Sequence, residues 1–185
     1  MEWIYYTLIL VWYFLTGSRE GLLWSKKESW LGLQNHHWNL LNILFGAFIL
    51  ILSMASVESK LLVLILGLFS FVWLGSNAIR NFMSVNNENE IVKGIDYHGA
   101  RALEGLGLFI PFWCLSGSFL LTSAFWIFGN WGYKKLMNKI MFNNMWHYSG
   151  IRIFRLFGEE YPYQDWYYDL SLIFGVLAVV VSFIL

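Results

Sequence analysis

Long uncharged runs separated by short polar stretches dominate the chain. Trp3–Ser18, Ser29–Val57, Leu61–Ile79 and Gly105–Tyr133 contain no Asp, Glu, Lys or Arg, and Trp166–Leu185 contains only Asp169. A helix rises ~1.5 Å per residue, so about 20 apolar residues cross a hydrocarbon core of ~30 Å. The pattern predicts an all-α, polytopic helical membrane protein with about five transmembrane helices, forming a single integral membrane domain over 1–185. The first run is the shortest and ends in Gly17-Ser18. With Arg19 snorkelling it still spans, which sets Arg19-Glu20 at the membrane edge. It lacks a basic leader region and a small-residue cleavage site, and reads as a retained helix.

The polar stretches place the connections. Trp24–Glu28 is expected to lie amphipathically at the interface, Val57–Lys60 to turn tightly, and Asn86–Glu90 to be an exposed loop. Between 134 and 157, Leu136, Met137, Ile140, Met141 and Met145 recur at helical spacing opposite Lys134, Lys135, Asn138 and Asn143. That is the pattern of one interfacial amphipathic helix lying in the membrane plane. Glu159–Asp165, rich in acids and tyrosines, suits an interfacial turn before the last span.

Two runs carry polar or small stripes. Asn35, Asn39, Asn42, Gly46 and Ser53 fall within about 60° on a helical projection. So do His98, Arg101, Gly105, Phe112, Ser116 and Ser123. Such stripes are what a membrane helix shows to other helices rather than to lipid. Pro111 is expected to kink its span.

An internal repeat is suggested as well, with hairpins 1–57 and 58–130 followed by a C-terminal interfacial helix and last span over 131–185. Gly32 precedes His36, and Gly94 precedes His98, by the same interval. His36-x-x-Asn39-x-x-Asn42 then aligns with His98-x-x-Arg101-x-x-Glu104. Both hairpins would enter the bilayer from one side.

Composition sharpens the class. The chain is 58% hydrophobic, 20% aromatic and 13% charged, against about 25% charged for soluble domains. Net charge is zero, and no basic arm interleaves with aromatics, so nucleic acid is excluded as a partner. The expected sides carry Arg19, Lys26, Lys27, Arg80, Lys93 and Arg101 against Lys60, Lys134, Lys135, Lys139, Arg152 and Arg155. That balance leaves orientation open under the positive-inside rule. Cys114 is the sole cysteine and permits no intrachain disulfide.

The stretch Gly94–Glu104 gathers chemistry at the mouth of an apolar run, where charges are costly and rarely idle. A polar site near one membrane face would combine His98, Arg101, Glu104, Asp96, Glu20 and Asn39. Arg101 and Glu104, at i, i+3, are placed to pair. His36 and His98 are candidate ligands for a metal ion, or for haem if they face each other at equal depth. The competing reading makes His36 and His37 water-bonded interfacial residues. Asp96-Tyr-His-Gly-Ala-Arg101 resembles the opening of the CDP-alcohol phosphatidyltransferase motif, with Asp96, Ala100 and Arg101 in place. Tyr97 replaces its glycine, and Ile110 and Cys114 stand where later motif residues belong, so that chemistry is excluded. The expected function is a structural or accessory subunit in the lipid bilayer, part of a homo- or hetero-oligomer. Alternatives are a metal- or haem-binding membrane enzyme or electron carrier and, third, a small channel or transporter. Whether the chain is an enzyme stays open.

Overall fold

The computed structural model describes residues 3–25, 27–86, 90–92, 95–148 and 150–184. Among them lie six α-helices: α1 (Trp3–Ser25), α2 (Asn35–Ala55), α3 (Lys60–Asn86), α4 (Tyr97–Ser116), α5 (Phe119–Phe142) and α6 (Trp166–Ile184). Four short strands, β1 (Glu90–Val92), β2 (Ile95–Asp96), β3 (Arg152–Leu156) and β4 (Glu159–Tyr163), form two antiparallel pairs. The fold is therefore predominantly helical, as the uncharged runs predict. Three segments, Asn35–Ala55, Lys60–Ser84 and Trp166–Ile184, are long and apolar enough to cross a membrane. The expected count of five is not reproduced, because the other two runs are differently built.

The run Gly105–Tyr133 is two helices. α4 continues through Pro111 and stops at Ser116. Gly117 takes a left-handed φ of +72°, which a glycine adopts without steric cost. Ser118 then caps α5, its side chain accepting from the Leu121 amide at 3.3 Å, as a helix N-cap does. The first run differs too. α1 extends to Ser25, taking in the first two residues of the expected interfacial stretch, and Arg19 and Glu20 are 2% and 1% exposed rather than set at an edge.

The expected in-plane helix over 134–157 is also corrected. Residues 134–142 are the last turns of α5, with Lys134, Lys135 and Asn138 buried. The helix ends at Asn143, in a left-handed conformation. Arg152–Leu156 is a strand instead, paired with Glu159–Tyr163 in register Arg152↔Tyr163 through Leu156↔Glu159. Glu159–Asp165 is thus mostly strand and not a turn. Phe157 and Gly158 make the two-residue connection with φ of +54° and +87°, the handedness that matches strand twist in tight hairpins.

The described chain divides into two compact units. One comprises Met1–Phe48, Leu115–Tyr148 and Trp166–Leu185; the other comprises Ile49–Cys114 and Ser149–Asp165. In the first, α5 packs between α1 and α6. Gly17 and Gly21, one turn apart on α1, lie against Tyr133, Leu136 and Ile140; a Cβ at Gly21 would come within 2.8 Å of Ile140. Tyr13 presses on Gly129, where a Cβ would meet its ring at 2.2 Å. Small residues let membrane-type helices approach closely enough for such contact. Trp12 stacks on Trp126 with centroids 5.1 Å apart, and Tyr6 on Phe125 at 5.0 Å.

In the second unit, α3 and α4 meet closely at Gly107, where a Cβ would lie 2.7 Å from the Trp73 amide nitrogen. The buried face of α4 is Tyr97, Ala100, Glu104, Gly107, Leu108, Pro111, Phe112 and Leu115. That stripe is rotated by about one residue from the expected His98–Arg101–Gly105 face, sharing Phe112 and the buried Ser116 with it. On α2 the expected stripe fits better: Asn42, Gly46 and Ser53 are buried, while Asn35 and Asn39 are half-buried.

Candidate functional site

Glu104 is the centre of the polar cluster in the second unit. Helical spacing puts it one turn beyond Ala100 on the buried face of α4, where it is fully buried. Its partners come from α3. Asn77 donates to Glu104 Oε1 at 2.9 Å, and the Arg80 guanidinium forms an ion pair with Oε2. Arg80, also fully buried, donates onward to the Tyr97 hydroxyl at 3.3 Å and lies 5.1 Å from the centroid of that ring. Asn81 donates to the Asn77 side-chain carbonyl at 2.8 Å. A contiguous polar cluster thus runs Asn81, Asn77, Glu104, Arg80, Tyr97, joined by hydrogen bonds and, between Glu104 and Arg80, by the ion pair. A buried charge is tolerated when paired and hydrogen-bonded, and a cation beside an aromatic face gains further.

This arrangement redistributes the expected residues. Glu104 is engaged by α3 rather than by the i, i+3 pairing with Arg101. Asp96 is the N-cap of α4: its Oδ1 accepts the Gly99 amide at 2.7 Å, and its Oδ2 accepts the Arg155 amide of β3 at 2.8 Å. One carboxylate therefore starts the helix and ties down the second hairpin. Gly99 admits that strand, since a Cβ there would sit 2.1 Å from the Arg155 carbonyl oxygen. His98 is half-buried, edge-on to Tyr97 at 5.7 Å. Asn77 and Arg80, absent from the expected site, share a face of α3 at i, i+3. Their signal was the polar end Asn77-x-x-Arg80-Asn81 of an otherwise apolar run.

Glu20 and Asn39 belong to the first unit and have other surroundings. The buried Glu20 carboxylate accepts a hydrogen bond from the Tyr133 hydroxyl of α5. Asn42 donates to Thr16 at 2.7 Å, joining α2 to α1. A second junction, unforeseen in the sequence, links α5 to α6. Lys135 pairs with Asp169 at 2.8 Å, and Trp131 donates its indole N–H to Asp169 at 2.7 Å. The Tyr148 hydroxyl donates to the same carboxylate. The Lys135 ammonium lies 4.0, 5.0 and 5.8 Å from the ring centroids of Trp146, Tyr148 and Trp131.

The histidines expected to hold a metal or haem fall in different units, His36 in the first and His98 in the second. Each is the second residue of its helix; Gly94 lies outside the described residues. His36 is exposed, its ring centroid 3.9 Å from that of His37 with the two planes tilted by 38°, while His37 Nδ1 accepts the Gln34 amide at 3.3 Å. Among the described residues no group of three His, Cys, Asp or Glu side chains comes together to hold a metal ion.

Compared with known proteins, the chain matches no family model, no curated protein and no solved structure.

Proposed function

We propose that this chain is a multi-pass integral membrane protein serving as a structural or accessory subunit of an oligomeric membrane assembly. What carries the reading is how two ionisable groups at helix contacts, the buried Glu104 and the part-exposed Asp169, are used. Glu104 takes a hydrogen bond from Asn77 and an ion pair from Arg80, both of α3, and Asp169 is held by Lys135, Trp131 and Tyr148. These groups join one helix to the next and are already engaged, unlike an acid or base poised for substrate. Large apolar side chains stay uncovered along the three long helices, among them Leu64, Leu68 and Phe71 of α3 and Ile173, Phe174 and Phe183 of α6. Lipid or a neighbouring subunit is the surface that removes them from water. α1 and α5 complete the membrane domain in this reading, Glu20 and Lys135 being met within the α1–α5–α6 unit.

Light scattering on detergent-solubilised protein, with the micelle subtracted, tests the oligomer. A protein mass of at least twice the 21.7 kDa chain, alone or with co-purifying subunits, is expected. A strictly monomeric mass in mild detergent, from a membrane where no other protein co-purifies, would defeat the proposal. A stoichiometric metal by elemental analysis, or a haem Soret band, would transfer support to the redox or metal alternative.

A further inference from the structure

We propose that the α1–α5 contact is a radical relay: an oxidising equivalent entering at Trp126 passes through Tyr13 to Tyr133, whose phenolic proton moves to Glu20. This is a redox activity beyond the structural role proposed above. The oxidant assigned to it, a lipid peroxyl radical, rests on the membrane reading; the relay itself does not.

Helical spacing builds the path. Tyr13, Gly17 and Glu20 share one face of α1, and Trp126, Gly129 and Tyr133 share one face of α5. Gly17 lies against the Tyr133 ring and Gly129 against the Tyr13 ring, so the two faces close on each other. The Tyr13 centroid is then 5.2 Å from that of Trp126 and 6.5 Å from that of Tyr133. Trp12 stacks on Trp126 at 5.1 Å with the planes 23° apart, and lies 4.7 Å from Tyr13. The four rings run in series along one helix contact. All are tyrosine or tryptophan, whose ring oxygen or nitrogen feeds electron density into the π-system and eases the loss of one electron.

The proton is handled at one end of the series. A phenol that loses an electron becomes a strong acid, and its charge is costly in a buried setting. Oxidation there needs a base within hydrogen-bond reach. Tyr133 has one: its hydroxyl donates to the Glu20 carboxylate, and both residues are buried. Trp12 is the contrast. Its indole N–H is buried without a hydrogen-bond partner among the described residues, although a buried indole usually finds one. An oxidised Trp12–Trp126 pair spreads its charge over two stacked rings but has no base at Trp12 to take a proton. The electron vacancy stays mobile until Tyr133 traps it by passing its proton to Glu20. Trp12, Tyr13 and Tyr133 are buried while Trp126 is half-buried, which makes Trp126 the point of entry.

The electrons and protons balance. A lipid peroxyl radical at Trp126 takes one electron and, from water, one proton, becoming a hydroperoxide. Tyr133 supplies that electron through the series. Its O–H proton goes to the Glu20 carboxylate, leaving a neutral phenoxyl radical beside a carboxylic acid.

The test uses the full chain in detergent with Cys114→Ser and a ruthenium photosensitiser attached through Phe119→Cys, an exposed position two turns before Trp126. A flash in the presence of a cobalt(III) ammine acceptor turns the label into a one-electron oxidant. Transient absorption and EPR then follow tryptophan and tyrosine radicals. A tyrosine radical is expected, forming several-fold more slowly in deuterium oxide because a proton moves with the electron. Tyr133→Phe should cut its yield several-fold and prolong the tryptophan radical. Glu20→Gln should do the same with the phenol still in place, and Tyr13→Phe should slow its appearance several-fold. A yield unchanged by Tyr133→Phe or by Glu20→Gln, or a rate unchanged by Tyr13→Phe, would overturn the relay. So would the lack of an isotope effect, which is read with all four rings and Glu20 intact. The oxidant is tested in vesicles of polyunsaturated phosphatidylcholine with a lipid-soluble peroxyl generator. Protein with Tyr133 should delay conjugated-diene formation several-fold longer than Tyr133→Phe. Equal delays, with the chain still held in the vesicles after alkaline carbonate, would overturn the lipid radical as oxidant. Equal delays with release by carbonate would instead remove the membrane reading and, with it, that oxidant.

Discussion

Glu104 and Arg80 show how much one residue decides here. Both are fully buried and paired with each other, and removing one leaves the other as an uncompensated charge. Loss of a single partner from a buried ion pair typically costs about 3–5 kcal/mol, whereas apolar replacement of both is often far milder. Glu104→Leu is therefore expected to lower stability by about that amount, and Arg80→Met with Glu104→Leu by distinctly less. Unfolding in a denaturing-detergent titration measures both variants. Losses that simply add would mean the two side chains do not act as a pair. The sequence singled out Glu104 but not its partners. Spacing along one helix suggested Arg101, and nothing local reveals which neighbouring helix presents Asn77 and Arg80.

At the scale of elements, close packing of helices depends on a few glycines, and the α1–α5 contact can be tested at Gly129. A Cβ there would strike the Tyr13 ring, and overpacking of this kind costs about 1–3 kcal/mol. Gly129→Val should show that loss in the native background and little of it when Tyr13→Ala has removed the ring. An equal loss in both backgrounds, read by thermal unfolding in detergent, would show that the contact is not what limits the helix. Elements also show where periodicity misleads. Met137, Ile140 and Met141 do repeat helically, but they finish α5. The hairpin was concealed by extending the same count past Asn143. The adjacent Ile153-Phe154, of types enriched in strands, and the glycine of the Phe157-Gly158 turn were its local marks. The broken run was legible too, in Ser116-Gly117-Ser118, yet the absence of charge outweighed that signal in the sequence reading.

Whole-molecule behaviour follows from the uncovered apolar helices. If α2, α3 and α6 cross a bilayer, extraction with alkaline carbonate leaves the chain in the membrane pellet, because paired charges are not what retain it. Release into the supernatant would refute the assignment. Burial of charged side chains within each unit fits the same setting. In hydrocarbon an ionisable group is costly unless it faces other helices and meets a partner there. Glu20, Arg80, Glu104, Lys134 and Lys135 are all buried, and those whose bonds are described above meet them across a helix–helix contact. The expected site therefore becomes two sets of junctions, one in each unit.

The uncharged runs by themselves determined the helical class, since length and hydropathy are properties of contiguous residues, but they were read as about five spans where three helices are long and apolar enough to cross a membrane. They also identified Glu104, Glu20 and Asp96 as unusual, because an acid beside an apolar run is costly wherever the chain folds. Tertiary structure alone decided what those acids do. Asp96 caps α4 and holds β3, Glu20 meets Tyr133, and Glu104 meets Arg80 and Asn77. A side chain's partner across a helix contact depends on the rotation of each helix about its axis, and a shift of one residue turns that axis by ~100°. Sequence periodicity fixes such rotation loosely. Packing of Trp73 against Gly107, and of Tyr13 against Gly129, fixes it within each unit.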